Sequence, residues 1–291
     1  VEGEEGEYSV RKEQLTRGTT WKSAASISPE EDRIAFAMGD ANAMNIYTMA
    51  IGGERGEPEQ ITFFESFSDF PVWSPNGREI AFLSNQGGVF RVWRVGAKGG
   101  APEPFEESSA SLSGDDLAWA PGPNILYRSR STELNNFMLL DPLSGSERPL
   151  LLDPQPGYVF EPVWAPDGKR IALFYNILEG NRQTMRAWVI SLDDGSMSML
   201  CDEVAYPISW SDDGRWIYIG KFDFGQSGKW ATVFRVPSTG GDPEKYIQLP
   251  FDEGIDGGRI TMTPDGRKLV YSKVETQTDI WIVEHFDPEV D

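Results

Sequence analysis

One phrase recurs along this chain and restricts its possible folds more than any other feature. It is fullest at Glu161-Pro-Val-Trp-Ala-Pro-Asp-Gly-Lys-Arg-Ile-Ala-Leu-Phe174. There an apolar run ending in Trp164, a Pro-Asp-Gly turn and a second apolar run from Ile171 read as two tightly joined antiparallel strands. Variants stand at Ile27-Ser-Pro-Glu-Glu-Asp-Arg-Ile34, Trp73-Ser-Pro-Asn-Gly-Arg-Glu-Ile80, Trp119-Ala-Pro-Gly-Pro-Asn-Ile125, Trp210-Ser-Asp-Asp-Gly-Arg-Trp-Ile217 and Met262-Thr-Pro-Asp-Gly-Arg-Lys-Leu269. Aligned on Ser28, Ser74, Ala120, Ala165, Ser211 and Thr263, the copies lie 46, 46, 45, 46 and 52 residues apart. Such a period implies stacked supersecondary units.

Each unit carries four apolar runs; in the second they are Phe70 to Trp73, Ile80 to Leu83, Val89 to Val95 and the short Pro104-Phe105. Four antiparallel strands per repeat describe a propeller blade. Third strands such as Asn45-Ile-Tyr-Thr-Met49, Arg91-Val-Trp-Arg-Val95 and Asp279-Ile-Trp-Ile-Val283 place an aromatic at one phase, as expected where blades pack face to face. The sixth unit, from Gly258 to Glu284, contains only three strands, while Tyr8 to Thr16 resembles a fourth strand without its first three. Pairing these ends would remove an exposed sheet edge. The expectation is an all-β fold: a six-bladed β-propeller of four-stranded antiparallel blades, occupying residues 8–291 and closed by its N-terminal strand. Residues 1–7, charged and Gly-rich, read as a disordered leader or linker.

The Trp-Ser-Pro-Asn-Gly-Arg-Glu-Ile-Ala-Phe82 and Trp-Ala-Pro-Asp-Gly-Lys-Arg-Ile-Ala-Leu173 phrases, with the Asn-Ile-Tyr and Asp-Ile-Trp third strands, resemble the TolB-like six-bladed propeller family over residues 8–286. The resemblance covers the propeller part only. It implies a bacterial, periplasmic or otherwise extracytoplasmic setting.

Composition narrows the chemistry. The net charge of −20, from 46 acidic and 26 basic residues, disfavours nucleic acid and anionic membranes, which need concentrated Lys and Arg. No apolar run approaches the roughly 20 residues of a membrane span, so no membrane insertion is expected. Cys201 is the only cysteine and His285 the only histidine, where a zinc site needs several such ligands, and any Ser-His-Asp triad is confined to the surroundings of one terminal histidine. No Gly-x-Ser-x-Gly elbow is present. The stretch Gly220 to Lys229 has Asp223 and Trp230 where a phosphate loop needs Gly and Ser or Thr. No cofactor, no metal and no catalytic residue are therefore expected.

Binding sites in propellers favour the channel mouth. The residue three before each Trp or its equivalent gives a candidate ring of Ala24, Phe70, Asp116, Glu161, Pro207 and Arg259. Asp116, Glu161 and Arg259 could hold a cationic or zwitterionic small molecule there. The loops from fourth to first and from second to third strands share one face, which should carry Phe63, Phe64, Phe67, Tyr158, Phe160, Phe222, Phe224 and Trp230 beside Arg128, Arg130, Arg182 and Lys229. Exposed, these residues would form a protein-recognition patch; covered by neighbouring loops, they would be core. The leading expectation is a non-enzymatic, monomeric binding or scaffold module for a protein or peptide partner. The alternative is the gating or sensor propeller of a larger enzyme, such as a prolyl-oligopeptidase-like or tricorn-like peptidase or a receptor kinase. A carbohydrate-active enzyme using channel carboxylates is a third.

Overall fold

The computed structural model of the chain describes residues 11–51, 56–105, 117–129, 136–222, 230–250, 260–274 and 278–284. Among them there is no helix. The first strand is β1 (Arg11–Gln14), and the next four, β2 (Trp21–Ile27), β3 (Arg33–Gly39), β4 (Met44–Ala50) and β5 (Glu59–Gln60), form one antiparallel sheet in sequence order. The same meander is repeated by β6 (Ser68–Trp73), β7 (Glu79–Ser84), β8 (Arg91–Gly96) and β9 (Glu103–Pro104), and by β10 (Leu117–Trp119), β11 (Ile125–Ser129), β12 (Asn136–Leu140) and β13 (Glu147–Pro149). It returns in β14 (Gly157–Trp164), β15 (Arg170–Glu179), β16 (Arg182–Ser191) and β17 (Met197–Met199), and in β18 (Tyr206–Trp210), β19 (Trp216–Phe222), β20 (Trp230–Pro237) and β21 (Glu244–Pro250). The last sheet runs β22 (Thr261–Met262), β23 (Lys268–Val274), β24 (Thr278–Glu284) and then β1, with Arg11 opposite Glu284 and Gln14 opposite Trp281.

The first strand of each sheet touches the first strand of the next, from β2 through β6, β10, β14, β18 and β22 and back to β2. The core is accordingly divided into clusters between neighbouring sheets. Ala37, Ile46, Ile80 and Phe82 fill the space between the first two sheets, and Leu15, Phe36, Val270 and Ile282 fill the space between the last sheet and the first. A fully buried Phe such as Phe36 or Phe82 contributes about 1.5–3 kcal/mol by leaving water. The result is an all-β propeller of four-stranded antiparallel blades.

The recurring phrase has a physical origin in its turn. The Ser211 hydroxyl donates to the Asp213 carboxylate at 2.7 Å and accepts from the Trp216 amide at 3.0 Å, while Asp213 accepts from the Arg215 amide at 3.0 Å. Ser74 with Asn76, and Thr263 with Asp265, repeat the arrangement. Backbone and side-chain donors hold the Asp213 carboxyl down at about 2, the Arg215 amide contributing most. The following glycine adopts the left-handed region, with φ of 66° at Gly77 and Gly214, 67° at Gly168 and 77° at Gly266. In the first hairpin that position is Glu31, with φ of 56°.

Space differs among these turns. A Cβ on Gly266 would meet the Tyr246 and Tyr218 hydroxyls at 2.6 and 2.7 Å, whereas one on Gly168 would meet nothing within 4 Å. Gly168→Ala is expected to lose about 1 kcal/mol from the left-handed backbone alone, and Gly266→Ala about 2–3 kcal/mol, because both rings must also shift. Urea unfolding of the two variants checks the difference; equal losses would show that the tyrosines yield freely.

Candidate functional site

The first strand of each sheet is the inner edge of its blade, so one row of its backbone groups pairs with nothing in the sheet. Proline and bulges are tolerated at such an edge, and the repeat exploits this. The register slips between Ser23 and Ser26, Asp69 and Val72, Phe160 and Val163, and Pro207 and Ser209. Within the first three slips Ala24, Phe70 and Glu161 take positive φ values of 51°, 55° and 49°. Three members of the expected ring are therefore bulge residues in left-handed backbone.

They do not all reach the channel. A cavity of about 440 Å³ lies along the axis, lined by all six inner strands between the bulges and the first-to-second-strand hairpins. Glu161 and Pro207 line it; Ala24 and Phe70 do not. Ala24 is buried, and Phe70 packs on the cluster of Val72, Leu83, Leu117 and Tyr127 between the second and third sheets. The expectation that Phe70 rims the channel is corrected: the bulge twists its ring into the seam between blades. Asp116 and Arg259 lie outside the described residues.

The cavity wall also contains residues that the sequence reading passed over. Glu31 and Asp212 line its hairpin end, and Trp73, Trp119, Trp164 and Trp210 line its sides. Two of the tryptophans also tie neighbouring inner strands: the Trp73 indole N–H donates to the Ser26 carbonyl and that of Trp210 to the Val163 carbonyl, each at 3.1 Å. The Lys268 ammonium approaches the Glu31 carboxylate at 3.6 Å and donates to its carbonyl at 3.2 Å. Burial, followed by repulsion from Asp265, nevertheless raises the Glu31 pKa. The signal for Glu31 was present in the repeat, since it occupies the glycine position of the turn.

On the opposite side of the bulges, the face built from fourth-to-first and second-to-third loops is aromatic. Tyr158, Phe160, Phe174 and Tyr206 form a run of ring contacts, closest between Phe174 and Tyr206 with centroids 4.3 Å apart. Burial, and then the Glu161 charge, raises the Tyr206 pKa. Arg128 is corrected from a surface contact to a structural one: only 8% exposed, it lies over the Phe160 ring at 4.9 Å and joins two blades. Phe64 is likewise packed, against Phe82 and Trp93. Phe67 (36% exposed), Tyr158 (43%) and Phe63 (76%) do reach the surface. Arg182 is exposed at the tip of the β15–β16 hairpin, whose ten-residue strands project beyond their neighbours. Trp230 begins β20, but its side chain, like those of Phe222 and Arg130 and the segment holding Phe224 and Lys229, lies outside the described residues, as does His285.

Cys201 is buried and its thiol pKa is raised by burial. Among the described residues no three His, Cys, Asp or Glu side chains converge as a metal site requires, and no helix is long and apolar enough to cross a membrane.

No protein-family model matches the chain. It is 27% identical over 154 residues to an uncharacterised protein of Agrobacterium fabrum, covering 50% of this chain and 52% of that protein. It is 33% identical over 60 residues to the lasso peptide isopeptidase AtxE2 of Asticcacaulis excentricus, covering 21% of this chain and 8% of the isopeptidase. The chain thus matches about half or less of the length of these relatives. Among solved structures it resembles TolB of Acinetobacter baumannii (TM-score 0.65, 15% identity, 91% of this chain and 64% of that one). It also resembles a protein of Agrobacterium tumefaciens assigned as TolB (TM-score 0.64, 16% identity, 94% and 97%) and an oligogalacturonate lyase of Vibrio parahaemolyticus (TM-score 0.59, 10% identity, 96% and 98%). At such identities the likeness shows the fold alone, and that fold is the β-propeller, which TolB and the oligogalacturonate lyase share.

Proposed function

We propose that this chain is a non-enzymatic binding module: a six-bladed ring, closed by its N-terminal strand, that engages a protein or peptide through its loop face. The observation that carries this reading is where the exposed large apolar side chains lie. Among the described residues Trp21, Phe63, Phe67, Val89, Leu152, Tyr158 and Val204 all stand on the loop face, while Leu143 is on the hairpin face and Met199 on an outer strand. Apolar residues gathered on one face of a protein mark a contact surface. The likeness to TolB supports an extracytoplasmic setting and a protein partner, and the oligogalacturonate lyase shows that the same fold also hosts enzymes, so the site and not the fold must carry the argument.

Phe63→Ser is expected to lower partner recovery about tenfold in pull-downs, with an unchanged melting temperature, because loss of a central apolar anchor costs on the order of 1–2 kcal/mol of binding. Leu143→Ser, an equal lesion on the opposite face, should leave recovery unchanged. Equal recovery with both variants would overturn the reading.

The short match to an isopeptidase favours a second reading, an accessory propeller of a larger peptidase. The length of the native open reading frame separates the two: several hundred further residues containing a catalytic domain would decide for the enzyme.

A further inference from the structure

We propose that the third sheet, β10 to β13, is the point at which the propeller opens: it hinges at the loop face and parts from its neighbours at the hairpin face, widening the cavity beside Trp119 and Trp164. This goes beyond the binding-module reading and can be tested without a partner. It starts from four tryptophans at one position of the repeat. Trp73 and Trp210 tie their inner strands to the preceding ones, each through an N–H at 3.1 Å from a carbonyl, of Ser26 and Val163 respectively. For Trp119 and Trp164 the equivalent acceptors are the Val72 and Ala118 carbonyls. Among the described residues neither indole makes that bond, and the Trp164 N–H is buried with no acceptor at all. A donor in that state has given up water without a replacement. The two missing ties are the ones on either side of β10.

The hairpin turns repeat the contrast. Arg170 of the fourth sheet donates to the Ser238 hydroxyl at 3.2 Å and the Gly214 carbonyl at 3.3 Å, both of the fifth. The Tyr246 hydroxyl donates to the Gly266 carbonyl at 3.3 Å between the fifth sheet and the last, and Lys268 to the Glu31 carbonyl at 3.2 Å between the last and the first. The third hairpin reads Ala120-Pro-Gly-Pro-Asn124. Its Ala120 amide donates to the Asn124 carbonyl at 2.8 Å, but Asn124, at the position of Arg170 and Lys268, makes no side-chain hydrogen bond among the described residues. Apolar packing alone therefore holds this hairpin and both indoles. At the loop end the third sheet is fastened, since the Arg128 guanidinium lies over the Phe160 ring of the fourth at 4.9 Å. Fastening at one end and its lack at the other define a hinge, and partial openings start where stabilising contacts are fewest. Ala118, Trp119 and Trp164 line the cavity, so parting at these seams enlarges it.

The test is amide hydrogen exchange of the full chain. Residues 126–128 in β11 are expected to exchange about tenfold faster than residues 35–37 in β3 and 217–219 in β19, whose sheets have a tie at both seams. Trp73→Phe and Trp164→Phe are equal truncations, so the difference between them reads the bond. Trp73→Phe should speed exchange at residues 35–37 several-fold, whereas Trp164→Phe, with no bond to lose, should leave residues 126–128 within about twofold of the parent. Maleimide labelling reads the widening of the cavity, with the buried Cys201 as background. Ala118 is 6% exposed and Val163 is half-buried, so fixed exposure favours position 163; opening instead makes Ala118→Cys react several-fold faster than Val163→Cys. Equal or slower exchange at residues 126–128, a rise there in Trp164→Phe as large as that caused by Trp73→Phe at residues 35–37, or faster labelling at position 163 would overturn the inference.

Discussion

Removing residues 1–16 is expected to cost at least about 5 kcal/mol, enough to consume much of the 5–15 kcal/mol that stabilises an ordinary domain, and to increase self-association. The deletion removes β1, which pairs along β24 from Arg11 opposite Glu284 to Gln14 opposite Trp281. It also removes Leu15, 6% exposed in the cluster shared by the last and first sheets. Loss of a buried leucine side chain alone costs about 2–5 kcal/mol. The uncovered edge of β24 is then free to pair with other molecules. Thermal melting followed by circular dichroism, with size-exclusion chromatography on the same samples, reads both effects. Leu15→Ala isolates the packing contribution and should lower stability by about 3 kcal/mol while leaving the elution volume of the parent unchanged. A deletion variant that melts within a few degrees of the parent would mean that β1 contributes little to holding the ring.

Trp210→Ala carries the second large effect, about 3–5 kcal/mol. The side chain is 3% exposed in the cluster between the fourth and fifth sheets, its N–H reaches the Val163 carbonyl, and the Arg170 guanidinium lies over its ring at 4.8 Å. Truncation leaves a cavity, strips the part-buried Val163 carbonyl of its donor and removes the surface on which Arg170 rests. Trp210→Phe retains most of the volume and should cost only about 1–2 kcal/mol, the share due to the hydrogen bond and imperfect filling. Met199→Ala, at a side chain 45% exposed on an outer strand, should stay within about 0.5 kcal/mol. Denaturant titration of the three variants decides the matter; a Trp210→Ala loss no larger than that of Met199→Ala would refute the role given to this tryptophan in joining the blades.

Legibility followed the range of the interactions. The hairpin phrase could be read because its turn is closed by residues two to five positions apart, Ser211 with Asp213 and Trp216 being one instance. The third strands could be read because an aromatic recurs at one phase of each and packs between sheets, as the buried Phe137 in β12 shows. The candidate site was less legible. Of the expected ring, Glu161 and Pro207 line the cavity. Phe70, at the same position of its repeat, turned into the seam between sheets, because a bulged residue need not follow the alternation of its strand. Arg128 looked like a surface arginine until Phe160, from the next blade, was seen beneath its guanidinium.

By itself, therefore, the sequence determined what is local and periodic: the all-β class, the order of four antiparallel strands in each repeat and the chemistry of the turns. Tertiary structure alone decided which side of the bulges encloses a cavity, which carboxylates face it and which aromatics remain outside. Those outcomes depend on side chains about 46 residues apart meeting across a seam, as Ser23 and Asp69 do at 3.0 Å. A repeat pattern specifies that such partners exist, but their mutual orientation is set only when neighbouring blades pack.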